Sequence, residues 1–577
     1  MHSGFVTCRA CYRKGVFVHI SRVFFRILLV LPVVLTPLQA QPKVIQILDA
    51  ELNRNFAALK KSDPAPYHMS YQMVEQEASS VTATLGALQS TTSGKSRTVD
   101  VSIRVGDPAL DNYRQIRGDR PQFSGAISMP LEDDSNALSR RLWLETDRVF
   151  RSAAQRLINI KTNQQIKLEG DDKSGDFSPA PPVVKFETVA ALQFDKKLWQ
   201  DRARKWSQYF ADKPEVLSSN VVIVGQREIK TLVNTDGTKL QHGRLYARIL
   251  ISARGKASDG MNLAASETFE AEDMSRLPDE KSVQKAVEKV YQKLSALLKA
   301  PLAEPFTGPA IMSGKSAGVF FHEIFGHRIE GHRQKDESEG QTFTKMVGKQ
   351  ILPDFLSVKM DPTLHRLAGT DLFGWYNFDD EGVLARPVSV VKAGVLENFL
   401  TSRSPINGFP TSNGHGRKQA GAEVVARQSN LVVESSKAVS SADLRKQLVA
   451  EIKKQNKPYG LYFEEVSSGF TITSRRGLQA FSVFPVMVYK VFSDGRPDQL
   501  IRGADIVGTP LTSFSKIVET SNETTVFNGY CGAESGQVPV SASSPAVMVS
   551  EIEVSLRERS QERPPYLPGP TISGGVN

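Results

Sequence analysis

Residues 322–332 read His322-Glu-Ile-Phe-Gly-His327-Arg-Ile-Glu-Gly-His332, which places three of the chain's nine histidines within eleven residues. Neutral imidazoles bind a borderline-soft cation such as Zn²⁺, and a carboxylate beside them can take a proton from water. The spacing His322-Glu323-x-x-x-His327 has one residue more than the common His-Glu-x-x-His pattern. On a regular helix, residues four apart lie about 40° from each other and residues five apart about 140°, so the two imidazoles diverge. An i to i+5 π-bulge would return them to one face, and Gly326 is the residue of this turn that tolerates close backbone approach. A π-bulge at Gly326 is therefore expected.

The run before the cluster, Ser316-Ala-Gly-Val-Phe-Phe321, is small and apolar. It reads as a helix entering a core rather than one lying on the surface. A buried His-Glu-x-x-x-His without a metal would leave polar groups that cost about 1–3 kcal/mol each when unpaired. A catalytic zinc site has three protein ligands and an open position, so one ligand is still to be found. His332 and Glu330 are the local candidates, and Cys531 is the remote one. Cys531 lies in Gly529-Tyr-Cys-Gly-Ala-Glu-Ser-Gly-Gln-Val-Pro-Val540, read here as a Gly-rich loop able to approach a helix closely. An unbound thiol in an exported protein is open to oxidation, whereas a zinc-bound one is deprotonated and occupied.

Export is expected from residues 1–40, which hold Arg9, Arg13, Lys14, Arg22 and Arg26, no acid, and an apolar run from Ile27 to Leu35 before Leu38-Gln39-Ala40. This is the pattern of a cleaved signal peptide leading to a periplasmic or secreted protein. The run is shorter than the roughly 20 residues that span a bilayer and contains Pro32, so no stable membrane span is expected after cleavage. Cleavage would remove Cys8 and Cys11, leave Cys531 as the one cysteine, and reduce the net charge from +10 to +5. An excess so small and scattered gives no footprint for nucleic acid.

At 577 residues the chain exceeds what one core usually supports. Residues 42–61 carry a helical stripe, residues 67–105 alternate as strands, and helices are expected near 139–160 and 281–298. Strands are expected at 220–224, 228–234 and 245–253. The prolines of Pro301–Pro309 place a boundary near residue 300. Beyond it, short strands dominate (388–391, 395–401, 469–473, 483–491), with one helix at Ala442–Lys454. The Pro- and Gly-rich residues 561–577 read as a disordered tail. The expected domains are 1–40 (leader), 41–300, 301–560 and 561–577.

Over most of its length after residue 300, and only loosely before it, the chain resembles the TldD/PmbA metallopeptidases. The resemblance rests on His322-Glu-Ile-Phe-Gly-His327-Arg-Ile-Glu-Gly331, Phe378-Asp-Asp-Glu-Gly382, Ser412-Asn-Gly-His-Gly-Arg417, Arg502-Gly-Ala-Asp-Ile-Val-Gly508 and Cys531-Gly-Ala-Glu-Ser-Gly-Gln-Val-Pro-Val540, in that order. It implies Zn²⁺ held by His322, His327 and Cys531, with Glu323 as general base. It also implies an α+β fold: an N-terminal α/β domain with a mostly antiparallel sheet, and a C-terminal β-rich, barrel-like domain around the metal-binding helix. The implied substrate is unfolded peptide, laid as an extra strand along a sheet edge. The implied assembly is a homodimer or a heterodimer with a metal-less paralogue. Gly394–Leu400 is a candidate edge, although it reads as an ordinary half-buried strand rather than a substrate edge. Asn413, His415 and Arg417 are candidate substrate-binding residues that could hold a peptide carboxylate or carbonyl. Asp379, Asp380 and Glu381 read as a capped turn rather than a second cation site. A non-hydrolytic peptide-binding or partner-regulating protein is the alternative, but it would have no use for Glu323.

Overall fold

The computed structural model describes residues 41–115, 119–162, 172–475, 480–558, 562–565 and 567. The leader expected at 1–40 and most of the tail expected at 561–577 lie outside these residues. From Gln41 onward the chain forms one compact unit, built on two large sheets.

The first sheet begins with α1 (Lys43–Leu59), then β1 (Pro66–Thr84) and β2 (Ala87–Asp107), whose long hairpin turns at Leu85 and Gly86, both at positive φ. Helix α2 (Ser135–Thr162) and helix α3 (Lys196–Gln208) follow, then β3 (Ser218–Asn234), β4 (Lys239–Lys256), β5 (Asn262–Ala271) and α4 (Glu280–Lys299). These strands pair antiparallel in the order β2-β1-β3-β4-β5. The expected strands at 220–224 and 228–234 are one continuous strand, and α3 was not foreseen in the sequence.

Alternation along these strands gives the sheet two unlike faces. The odd-numbered residues, such as Met69, Tyr71, Val101, Ile223, Ile249 and Ile251, are buried and apolar, and all four helices pack on them. The even-numbered face carries Gln72, Gln76, Thr98, Gln226, Glu228, Lys230, His242 and Arg244, and it looks onto a cavity shared with residues from the second half of the chain.

The second sheet has β6 (Phe306–Met312), β7 (Leu356–Met360), β8 (Val388–Lys392), β9 (Asn430–Ser435), β10 (Gly460–Thr471), β11 (Phe481–Val491), β12 (Ala504–Gly508), β13 (Ile517–Ala533) and β14 (Gly536–Leu556). Five of them close on themselves in the order β6-β10-β11-β12-β14-β6, which makes a barrel. Strands β9, β7 and β8 extend the sheet outward from β14. The expected strand at 395–401 shrinks to Val395–Leu396, and Leu396, Phe399 and Leu400 are core residues.

Helix α5 (Gly314–Ile324) is buried along its whole length except at Lys315. A helix apolar on all sides is stable only when enclosed, and Phe320, Phe321, Ile324 and Phe325 join the main core with barrel side chains such as Phe481, Val483 and Val547. Ser313 caps it by accepting a hydrogen bond from Ser316 N. Close approach to β14 requires glycine at 318, where a Cβ would lie 2.8 Å from Ala542 O. Gly318→Leu is expected to destabilise the protein by about 1–3 kcal/mol or more through overpacking. Gly94→Ala, at a position with nothing within 4 Å of the added Cβ, should stay within about 0.5 kcal/mol. Urea melts of the two variants check this, and equal midpoints would contradict the close packing of α5.

Candidate metal centre

The turn that joins the two histidines is not a π-bulge. Helix α5 stops at Ile324, Phe325 adopts φ −108° and ψ −53°, and Gly326–Ile329 form a 3₁₀ turn. The helix solves the spacing problem by ending and restarting rather than by widening. Glycine at 326 is still required, though for packing: a Cβ there would lie 1.9 Å from Gln428 Oε1. The carbonyls freed where α5 ends are taken by a residue of the next turn. Arg328 Nη1 donates to Glu323 O at 3.2 Å, to Ile324 O at 3.1 Å and to Thr471 Oγ1 at 2.7 Å. Burial pushes this guanidinium's pKa down to about 10, with Arg333 adding to the shift.

This break brings the His322 and His327 rings to a centroid separation of 5.0 Å at 80°. The expected Gly-rich loop around Cys531 is instead the end of a β-hairpin: β13 and β14 pair up to Ala533 opposite Gly536, with Cys531 opposite Val538. Cys531 is 4% exposed, and its Sγ lies 3.4 Å from His327 Nε2. One donor atom from each of His322, His327 and Cys531 lies within 4.8 Å of the others. The three residues thus form a candidate metal site, with two imidazoles and a thiol as the donor set that zinc accepts. Of the local alternatives, Glu330 and His332 have other partners.

Glu330 is fully buried and fixes His327 from behind. Its Oε2 lies 3.2 Å from His327 Nδ1 and 2.9 Å from Arg333 Nε, and its Oε1 lies 3.3 Å from Arg427 Nε. Burial alone would raise this carboxyl's pKa, but His327, Arg333 and Arg427 outweigh it and hold the group well below the usual range. A carboxylate on Nδ1 leaves Nε2 as the nitrogen aimed at Cys531, the arrangement that orients histidine ligands. His332 turns away and pairs with Glu534, which also accepts from Arg333 at 2.9 Å. Neither Glu534 nor Arg427 stood out in the sequence, because their roles depend on contacts across about 100 residues or more.

Glu323 Oε2 lies 3.9 Å from His327 Nε2. Its side chain crosses Gly469 of β10, where a Cβ would lie 2.6 Å from Glu323 Cγ. Burial pushes its carboxyl up, and the neighbouring histidines oppose this without cancelling it. A carboxylate with a raised pKa is a better proton acceptor than an exposed one. Burial likewise pushes the Cys531 thiol up, but His327 and His322 draw it well below its usual value. Burial lowers His327, while Cys531 and Glu330 raise it well above the ordinary imidazole range. The two groups shift each other, the thiol toward thiolate and the imidazole toward imidazolium, across their 3.4 Å contact.

The other candidate residues have different surroundings. Asn413 satisfies backbone, with Oδ1 accepting from Thr401 N and Nδ2 donating to Phe399 O. His415 is fully buried, with Nδ1 near Asn413 O and Nε2 near Ser429 Oγ, and burial pushes its pKa down to about 3. Arg417 borders the cavity beneath the first sheet. Asp379 caps its turn by accepting from Glu381 N and Val383 N, and Asp380 accepts from Lys230 Nζ.

Zinc binding needs Cys531 as thiolate and His327 as neutral imidazole, so loading a pair shifted toward imidazolium–thiolate should release about one proton per chain near pH 7. Raised His327 basicity makes protons compete at higher pH than they would for a free imidazole, so apparent zinc affinity falls as pH falls. Calorimetry in buffers of different ionisation enthalpy reads the proton count, and a count of zero would contradict the shift toward imidazolium–thiolate. Glu330→Gln should weaken zinc binding by about 10- to 100-fold.

Comparison with known proteins agrees with this geometry. Residues 306–556 match the family described as the PmbA/TldA metallopeptidase C-terminal domain. A metalloprotease TldD homolog of Haemophilus influenzae is 27% identical over 252 residues, 43% of this chain and 48% of that protein. A metalloprotease of Archaeoglobus fulgidus is 26% identical over 244 residues, 41% of this chain and 51% of that one. A zinc metalloprotease TldD homolog of Saccharolobus solfataricus is 21% identical over 254 residues, 43% of this chain and 51% of that one. The chain thus spans about half the length of the curated relatives it matches. Among solved structures, TldE from Thermococcus kodakarensis shares the fold with TM-score 0.58 at 12% identity, over 88% of this chain and 100% of that one. A Thermotoga maritima protein does so with TM-score 0.57 at 18% identity, with the same coverage. The matched segment contains His322, Glu323, His327 and Cys531, so over residues 306–556 the chain is similar to the PmbA/TldA metallopeptidase C-terminal domain at the place where its candidate metal site lies.

Proposed function

We propose that the protein is a zinc-dependent peptidase acting on unfolded peptides or proteins, with His322, His327 and Cys531 as ligands and Glu323 as general base. The observation that carries this reading is the buried carboxylate of Glu323 standing 3.9 Å from His327 Nε2, on the side where that nitrogen meets Cys531. A binding protein has no need of a raised-pKa carboxylate at that place. The word zinc in the description of the Saccharolobus relative supports the choice of metal.

Zinc, when bound, supplies Lewis-acid polarisation of the scissile carbonyl and of the attacking water. Glu323 then takes the water's proton during attack and delivers it to the departing amine nitrogen. Cys531 would hold the metal as an anionic thiolate beside the two neutral imidazoles, which would leave the water less acidic than three histidines would and give Glu323 a larger part in removing its proton. Glu330 holds His327 in the tautomer that leaves Nε2 free. His322, Glu323, His327 and Cys531 are all buried, which disfavours a folded surface as substrate. This supports unfolded peptide as substrate. Export through the leader at residues 1–40, and pairing as a homodimer or with a metal-less paralogue, complete the proposal.

Incubation with denatured casein, with and without a chelator, tests this reading: cleavage that stops with the chelator supports it, and chelator-insensitive cleavage contradicts it. Glu323→Gln should lower turnover by at least about 100-fold while zinc remains bound. Cys531→Ser should lose zinc by elemental analysis, and unchanged zinc content would remove Cys531 from the ligand set.

A further inference from the structure

The polar face of the first sheet is partly covered by the second half of the chain. It forms one wall of a cavity of about 300 Å³, whose opposite wall comes from residues 373–380, 417–420, 530 and 537–539. Most charges here are neutralised within the protein. Lys230 pairs with Asp380 at 2.6 Å, and Lys418 with Asp100 at 2.6 Å. Arg417 is the exception. It is 5% exposed, donates to Gln428 O, and lies 4.8 Å over the Tyr376 ring. Among the described residues it forms no ion pair. Asp380, already paired with Lys230, acts on it only from beyond ion-pair distance; a buried guanidinium with no carboxylate in contact is costly, and its planar fork fits a carboxylate with two parallel hydrogen bonds. Arg244, on the facing sheet, donates to Phe373 O and is only loosely engaged by Glu228 at 3.9 Å.

The same cavity has an aromatic side. Tyr246 and Phe373 stack at 4.3 Å, and Tyr530 meets Phe373 edge-on at 4.8 Å. Tyr246 is 8% exposed, and its hydroxyl has no protein hydrogen-bond partner. A buried hydroxyl of this kind is an unused donor. An anion-seeking arginine, a spare hydroxyl and an aromatic wall together describe a site for a carboxylate attached to a large apolar group. Chain connectivity ties this place to the metal centre. Gln428 accepts from Arg417 through its carbonyl, donates from Nε2 to His322 O at 3.3 Å and fills the space over Gly326. Tyr530, on the aromatic side, immediately precedes Cys531.

We propose that this cavity binds the C-terminal carboxylate of a peptide whose last residue is aromatic or large and aliphatic, with Arg417 holding the carboxylate and Tyr246, Phe373 and Tyr530 contacting the terminal side chain. The inference rests on the peptidase reading for its choice of a peptide over other carboxylates. Asn413 and His415, sequence neighbours of Arg417, hold the loop and do not contact the peptide.

The test is calorimetric, on the full chain under chelator so that no turnover occurs. The probes are a hexapeptide ending in phenylalanine with a free carboxylate, the same peptide as its C-terminal amide, and N-acetylphenylalanine. The acid is expected to bind at least about tenfold more tightly than the amide, because the amide cannot use the charge-assisted fork. N-acetylphenylalanine should displace the acid. Arg417→Gln should bring the acid down to the amide's affinity, and Arg417→Lys should keep part of the difference. Equal affinity of acid and amide for the unmodified chain overturns the proposal without any variant, and so does an unchanged acid-to-amide ratio in Arg417→Gln. An acid preference in a protein that never cleaves casein would retain this site and overturn the peptidase reading. Casein cleavage with no acid preference would do the reverse.

Discussion

The metal centre depends on one buried carboxylate. Glu330 carries no solvent exposure, yet it meets His327, Arg333 and Arg427. Arg427 in turn donates to Cys531 O. The turn that bears one candidate ligand and the hairpin that bears another are thereby joined through a single acid and a single base. Breaking such a pair by removing one partner costs about 3–5 kcal/mol, because the remaining charge is stranded. The outer ring of the network repeats the same logic: Arg333 reaches Glu339 and Glu534, and Glu534 reaches His332 and Arg120. Arg120 comes from the first half of the chain, so the network also ties the two halves together beside the metal centre.

Enclosure of α5 in the barrel explains why so many charges are paired. A helix buried on all sides must end somewhere inside the protein, and its last carbonyls need donors that water cannot supply. Arg328 meets that need, and the same break turns His327 toward His322 and Cys531. The polar site is thus placed where the helix ends, at the point where the core already has to accept hydrogen-bonding groups. On the other side of Gln428, the polar face of the first sheet encloses the Arg417 cavity. Gln428 links the two places, because its carbonyl accepts from Arg417 and its Nε2 donates to His322 O.

The sequence disclosed the candidate metal ligands better than the backbone. His322, Glu323 and His327 were legible because three imidazoles and an acid within eleven residues are seldom a packing solution, and Cys531 through the motif around it. The long helices at Lys43–Leu59, Ser135–Thr162 and Glu280–Lys299 were legible from their apolar stripes. Three features were not. The 3₁₀ turn at Gly326 was read as a π-bulge because periodicity states that two residues must converge, not how the backbone bends to do it. The hairpin carrying Cys531 was read as a loop because Gly529, Gly532 and Gly536 mask its alternation; Gly536, at φ +80°, is at the turn itself. The anchoring of His332 by Glu534, and of Glu330 by Arg427, links residues about 100 to 200 positions apart, and no local pattern reports such pairs.

The central claim is that two imidazoles and the Cys531 thiolate hold a single zinc ion. X-ray absorption at the zinc edge of the zinc-loaded full chain tests it most directly. One sulfur scatterer at about 2.3 Å together with nitrogen or oxygen scatterers at about 2.0–2.1 Å is the result the geometry predicts. A shell of nitrogen and oxygen alone, with no sulfur, would contradict it.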